Sequence, residues 1–212
     1  MLKYILVTLP EHDVPTVYLS AWCKKPISVA EEHGFTPLLL EGDKACLKNF
    51  ESYIKNNPVL VIFNGHGNST TITGHNSEPI ITLGKNEILL KDRIVYSISC
   101  ASASELGAAS VNKGTIGFIG YNDDFIFLHD ANTETRPLQD ALAKVFLEHS
   151  NVFIISLVKG NSISESYEHA KKQLQKHLSS YLTVENYDQQ IVRYLWWNLH
   201  NFAFYGNPEA KL

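Results

Sequence analysis

Apolar positions along the chain fall into two rhythms. Short, nearly unbroken runs occur at residues 2–9 (LKYILVTL), 35–40 (FTPLLL), 59–63 (VLVIF), 93–98 (RIVYSI) and 115–120 (TIGFIG). Such runs are too short for buried helices and have the composition of strands covered on both faces. Helical spacing lies between and after them. It runs through residues 14–33, through 44–56 (Leu47, Phe50, Tyr53, Ile54) up to the Asn56-Asn57-Pro58 stop, and through 133–149 (Leu138, Leu142, Val145, Phe146). Residues 150–157 (SNVFIISL) read as the end of that helix, a turn and a lead-in. A long amphipathic helix follows over 162–182 (Ile163, Tyr167, Ala170, Leu174, Leu178), then a further helix over 187–197 bearing Tyr194, Trp196 and Trp197. Residues 202–205 close the sheet. Alternating strands and helices predict an α/β protein, a three-layer α/β/α sandwich around a mostly parallel sheet of about six strands. Pro37 marks an edge strand. Residues 68–84 have the turn and strand composition of a small hairpin, while 83–90 fit a short helix or a strand equally well.

Two of these strands end in chemistry. PVLVIFNGHG (58–67) delivers His66, and RIVYSISC (93–100) delivers Cys100. In a parallel α/β sheet, reactive groups collect at the carboxyl ends of strands, so the two side chains meet although they are far apart in sequence. Gly65 and Gly67 flank His66, which removes the Cβ atoms that would hold a substrate backbone away. Residues 101–109 (ASASELGAA) suit an opening helix with Ser102 or Ser104 as its cap. A helix N-terminus and a neighbouring imidazolium would both favour the Cys100 thiolate. A single cysteine after an apolar strand is more often a buried small hydrophobe; the combination of two strand ends, paired glycines and a helix start outweighs that reading.

Composition narrows the partners. At 212 residues and 44% hydrophobic, the chain is sized for one domain spanning residues 1–212. A net charge of −4 and a pI near 6.1 supply no basic stripe, so no nucleic-acid partner is expected. No twenty-residue apolar run and no charged-then-apolar leader is seen, and the expectation is a cytoplasmic protein without a membrane partner. Cys23, Cys46 and Cys100 are odd in number and lack CxxC spacing, which argues for reduced thiols and against a disulfide framework or zinc knuckle. Cys23 and Trp22 read as packing residues, and His75 in GHNSEP as an exposed turn residue.

NGHG around His66 and SISCASA around Cys100 resemble the His-Gly and Ser-x-Cys blocks of the caspase–gingipain–separase superfamily, the cysteine peptidases of caspase-hemoglobinase fold. The gingipain and CHAT branches are the most similar. TIGFIGYNDDF (115–125), SISESYEHAKKQL (162–174) and the terminal NFAFYGNPEAKL (201–212) extend the resemblance over nearly the whole chain, with Asn207 in place of the Asp of the YGDP ending. The resemblance implies the same caspase-like sandwich and a peptidase in which Cys100 attacks a peptide carbonyl while His66 shuttles the proton. It also implies an oxyanion hole from the backbone N–H groups of Gly67 and Cys100. No metal or organic cofactor is needed; a protein or peptide is the substrate, and an activating partner protein is compatible. No residue orienting the imidazole is identifiable.

Gingipains and separases cleave after Arg or Lys using a carboxylate, whereas caspases cleave after Asp using arginines. The only arginines here are Arg93, Arg136 and Arg193, with Arg93 far from the chemistry. The catalytic edge is acidic (Asp13, Asp123, Asp124), so a basic substrate residue is expected, with Asp13 as the first choice for the pocket floor. Asp123 and Asp124 fit helix capping as well as a pocket. Three competing readings are a catalytically inactive binding scaffold, a thiol hydrolase acting on a non-protein amide or ester, and, weakest, a metal-dependent hydrolase using His66, His75 and Asp13.

Overall fold

The computed structural model of the chain describes residues 2–183 and 188–212. Six strands build its main sheet: β1 (Lys3–Leu9), β2 (Phe35–Glu41), β3 (Leu60–Asn64), β7 (Ile94–Ile98), β8 (Gly117–Tyr121) and β9 (Phe202–Gly206). Their order is β2-β1-β3-β7-β8-β9, and all neighbours are parallel except β9, which returns antiparallel along β8. Every residue of β3, β7 and β8 is buried, as their unbroken apolar runs require. Alternate side chains of these strands feed two separate cores. On one face Ile5, Val7, Ile62 and Tyr96 pack with Tyr18 and Ile27 of α1 (Val14–Glu32) and with Phe153 and Leu157 of α4 (Ala141–Val158). On the other, Leu6, Val61, Phe63 and Val95 pack with Phe50 of α2 (Leu47–Tyr53) and with Leu106, ahead of α3 (Ala108–Asn112). Burying each such side chain stabilises the fold by about 1.5–3 kcal/mol. These are the three layers read from the sequence.

Pro37 does lie on an edge strand, opposite Ile5 of β1, where its missing N–H interrupts no second ladder. The segment after the His-bearing strand is more than a hairpin. It forms a three-stranded antiparallel sheet from β4 (Gly67–Asn68), β5 (Thr71–Thr73) and β6 (Pro79–Thr82), and the undecided stretch behind it becomes a 3-10 turn over Glu87–Leu90.

The helical half departs from expectation in one place. α4 is a single helix to Val158, and residues 133–140 precede it as turns. Asp140 fixes the start: its buried carboxylate accepts from the Leu142 and Ala143 N–H groups and from the Tyr18 hydroxyl at 2.8 Å, tying α4 to α1. Its β-branched run VFIISLV mimics a strand, yet it is helical because α1, the sheet and α5 (Ile163–Leu182) enclose it. Among the described residues α4 is the one helix long and apolar enough to cross a membrane, and 67% of it is buried within the fold. α5 begins with a Ser162/Glu165 capping box, and the chain terminus completes it: Ala210 and Pro208 carbonyls accept from Ile163 and Ser164 N–H. α6 (Gln189–Asn201) packs Ile191 and Leu195 on α4 and α5. Tyr187, expected at the start of that helix, lies outside the described residues.

Candidate active site

Asn64 and Ile98 are paired across the parallel β3–β7 ladder, and the Gly65 N–H donates to the Ile98 carbonyl at 3.3 Å. His66 and Cys100 each stand two residues beyond that pair. Register alone therefore carries them to the same level, and both open onto one cleft of about 240 Å3. Pro15, Leu19, Ile98, Phe125, Ile126 and Phe127 give the cleft apolar walls.

Asp13, expected at the pocket floor, makes two other contacts. It caps α1: Oδ1 accepts from the Thr16 N–H (2.9 Å) and hydroxyl (2.7 Å), while Thr16 Oγ1 accepts from the Asp13 N–H in return. Its other oxygen, Oδ2, lies 2.6 Å from His66 Nε2. Burial opposes ionisation of Asp13, but the Thr16 and His66 hydrogen bonds outweigh it and bring the carboxyl down to about 2. Asp13 thus spends both oxygens on the helix and the imidazole and does not line the cleft, so the expected pocket-floor role is not the one this geometry supports. It is instead the carboxylate in contact with the imidazole, a partner that no sequence signal identified. The capping half was legible in Asp13-Val14-Pro15-Thr16, which has the spacing of a helix start; the grip on a ring 53 positions away was not.

One glycine lets the loops close. A Cβ at Gly67 would stand 2.7 Å from the Thr71 carbonyl oxygen and 3.0 Å from Ser99 Cβ, so only glycine lets the His-bearing loop lie against the Cys-bearing one. Gly67 faces Ile72 across the β4–β5 pair, while the His66 carbonyl accepts the Thr73 N–H. Antiparallel ladders alternate, and this phase turns the Gly67 N–H away from β5. Beyond the cysteine, Ala101 has φ +52°, a left-handed conformation that costs an alanine about 1–2 kcal/mol, and its N–H is held by the Asp123 carbonyl at 2.9 Å.

The expected helix start at the cysteine differs in detail. Residues 101–102 form a turn, a π-helical turn follows over Ala103–Gly107, and α3 begins only at Ala108. Ser102 donates to Ser97 Oγ and the Ser99 carbonyl, and Ser104 to the Ala101 carbonyl, so neither caps a helix. The thiol consequently lacks the helix-end stabilisation read from the sequence. Burial pushes the Cys100 thiol up, and the Asp124 carboxylate beside it adds to the rise, against a weak contact to the Phe125 carbonyl at 3.9 Å.

Asp123 and Asp124 are exposed and precede the cleft wall; the Asp123 carboxylate accepts the Asp124 N–H. That wall hangs from α6. Buried Asn198 accepts from the Ile126 N–H (3.1 Å) and donates to the Ile126 carbonyl (2.6 Å), and Trp197 Nε1 donates to the Asp124 carbonyl (2.9 Å). The Trp197 indole therefore positions the loop, whereas Trp196 is 54% exposed and stacks on His200. A lone Asn within a helical pattern carries no sequence signal for this job.

His12 and His75 also lie here. The His12 ring packs edge-on to His66 (centroids 5.8 Å) and His75 (5.2 Å), and His75, half-buried rather than exposed, accepts the Glu11 N–H. Cys23 is buried, with its thiol pushed up to about 12, and Cys46 sits at the start of α2.

No family model matches the sequence, and no curated protein does. Solved structures do match. The Arg-specific cysteine proteinase gingipain R (RgpB) superposes with a TM-score of 0.66 at 10% identity, over 99% of this chain and 47% of that one. A complex of Porphyromonas gingivalis RgpB pro- and mature domains gives 0.62, again at 10% identity, over 98% of this chain and 47% of that one. The chain thus spans about half the length of the structures it matches. An identity this low speaks for architecture, and the architecture is that of the gingipain-type cysteine proteinases: a caspase-hemoglobinase fold with a mostly parallel six-stranded sheet and helices on both sides.

Proposed function

We propose that the protein is a cysteine endopeptidase using Cys100 as nucleophile, His66 as general base and acid, and Asp13 to hold the imidazole. The observation that carries this reading is the register of β3 and β7, which brings His66 and Cys100 to equivalent positions at adjacent strand ends above one cleft. The Cys100 thiol rests protonated in its buried setting and passes its proton to His66 as the sulfur attacks the scissile carbonyl. Asp13 accepts from Nε2 and stabilises the imidazolium that forms. The Gly67 N–H, turned away from β5, and the Cys100 N–H receive the oxyanion, a contribution of about 3 kcal/mol for one donor. His66 then protonates the leaving amine, and water releases the acyl group from sulfur.

A basic residue on the amino side of the cleaved bond remains the preferred substrate. With Asp13 engaged by His66, Asp124 takes its place as the carboxylate for that side chain: its charge is felt at the Cys100 thiol, and it adjoins the Phe125–Phe127 wall. The neighbour RgpB is Arg-specific, which agrees with this choice. One neighbour is a complex of pro- and mature domains, which supports a protein partner here as well.

A positional-scanning peptide library, run on the parent and on Cys100→Ala, tests the reading. Cleavage after Arg or Lys that vanishes in Cys100→Ala is expected. Turnover retained in that variant rejects the thiol mechanism. An alkylatable Cys100 with no peptide cleaved points to a non-protein amide or ester, or to a binding scaffold.

A further inference from the structure

The back of the imidazole is crowded with ligand atoms. One atom each of His12, Asp13 and His66 lie within 4.8 Å of one another. His66 Nε2 is 2.6 Å, and His12 Nε2 3.8 Å, from the same Asp13 Oδ2. Tetrahedral ligands around zinc, bonded at about 2.1 Å, stand roughly 3.4 Å apart, so the cluster brackets that spacing and needs only small side-chain adjustments. Two imidazoles and one carboxylate form a three-ligand zinc set with a fourth position open to water. The carboxylate is braced from behind, because its other oxygen is held by the Thr16 N–H and hydroxyl. His12 contributes a half-buried ring whose Nδ1 has no partner and whose Nε2 lies 3.4 Å from the Ser77 hydroxyl.

We propose that His12, Asp13 and His66 form a binding site for a divalent cation of the zinc class, and that the occupied site is the off-state of the Cys100–His66 hydrolase. The second half rests on the peptidase reading above. The ion takes the Nε2 lone pair of His66 and an Asp13 oxygen, and the proton shared between those two atoms moves to Nδ1 of the ring. With Nε2 on the ion and Nδ1 protonated, the imidazole has no lone pair left to accept the thiol proton. The ion is an inhibitor, not a cofactor.

Calorimetric titration of the Cys100→Ala protein with zinc chloride tests the site without the nucleophile and without turnover. One ion per chain is expected. Adding His12→Ala or the bulkier His12→Gln should weaken binding roughly tenfold or more. No saturable binding, or equal affinity in both His12 variants, overturns the proposal. With Cys100 present, His12→Gln should hydrolyse peptide as the parent does but require at least tenfold more zinc for half-inhibition. An unchanged inhibition midpoint places the ion on Cys100 and His66 alone and overturns the off-state. If the parent cleaves no peptide at all, the peptidase reading and the off-state fall together, and calorimetry still decides the site.

Discussion

Asp13 and His66 are joined by a 2.6 Å carboxylate–imidazole contact, and the same carboxylate closes the first turn of α1. One side chain therefore serves both the start of a helix and the pose of a ring. The two tasks separate by substitution. Asp13→Asn keeps a good cap but loses the charge, so it should fold, less stably than the parent at neutral pH, while kcat falls about ten- to a hundredfold and KM changes little, whatever residue precedes the cleaved bond. Asp13→Ala should lose a further ~1 kcal/mol of stability through the missing cap. A KM rise confined to Arg substrates would instead return Asp13 to the primary pocket.

The lowered Asp13 value sets a pH signature. The carboxyl moves from 3.8 to about 2 on folding, so its stabilising contribution is fully present above pH 3.8 and is lost as pH falls through about 2. The stability difference between the parent and Asp13→Asn, measured by urea unfolding at stepped pH, should therefore shrink across that interval. A constant difference would mean that the ionised form is not the stabilising one.

Asp124 and burial both raise the Cys100 thiol. Asp124→Asn should shift the pH profile of iodoacetamide labelling downward and speed labelling at neutral pH severalfold. The same variant should discriminate less well against uncharged residues at the primary position. An unmoved labelling profile would show that the carboxylate does not reach the sulfur.

Ala101 holds a left-handed backbone at φ +52° directly after Cys100. Ala101→Gly should raise the unfolding midpoint by relieving up to about 1 kcal/mol, whereas Ala101→Val should lower it. Thermal melts of the two variants in opposite directions are the check.

Legibility in the sequence followed burial. The strands feeding His66 and Cys100 were readable because β3 and β7 are covered on both faces and end in small residues, and their apolar composition admits little else. α4 was misdivided because most of its second half is buried, which blurs the helical period that a half-exposed helix would display. Asp13 was assigned by its charge at a strand end, yet local capping and a ring far along the chain claimed both of its oxygens first. Asn198 gave no signal, since amides that serve a distant backbone look like any polar residue on a helix.

The clasp of Asn198 on Ile126 also divides the cleft by rigidity. His66 and Cys100 are anchored to a strand pair whose backbone bonds break only when the whole sheet comes apart, while the opposite wall hangs on three side-chain hydrogen bonds from one helix. Amide exchange at Ile62 and Val95 should then track global unfolding, and exchange at Ile126 should proceed through a cheaper local opening. The cleft would widen by swinging a single wall, admitting bulky chains without disturbing the His66–Cys100 pair.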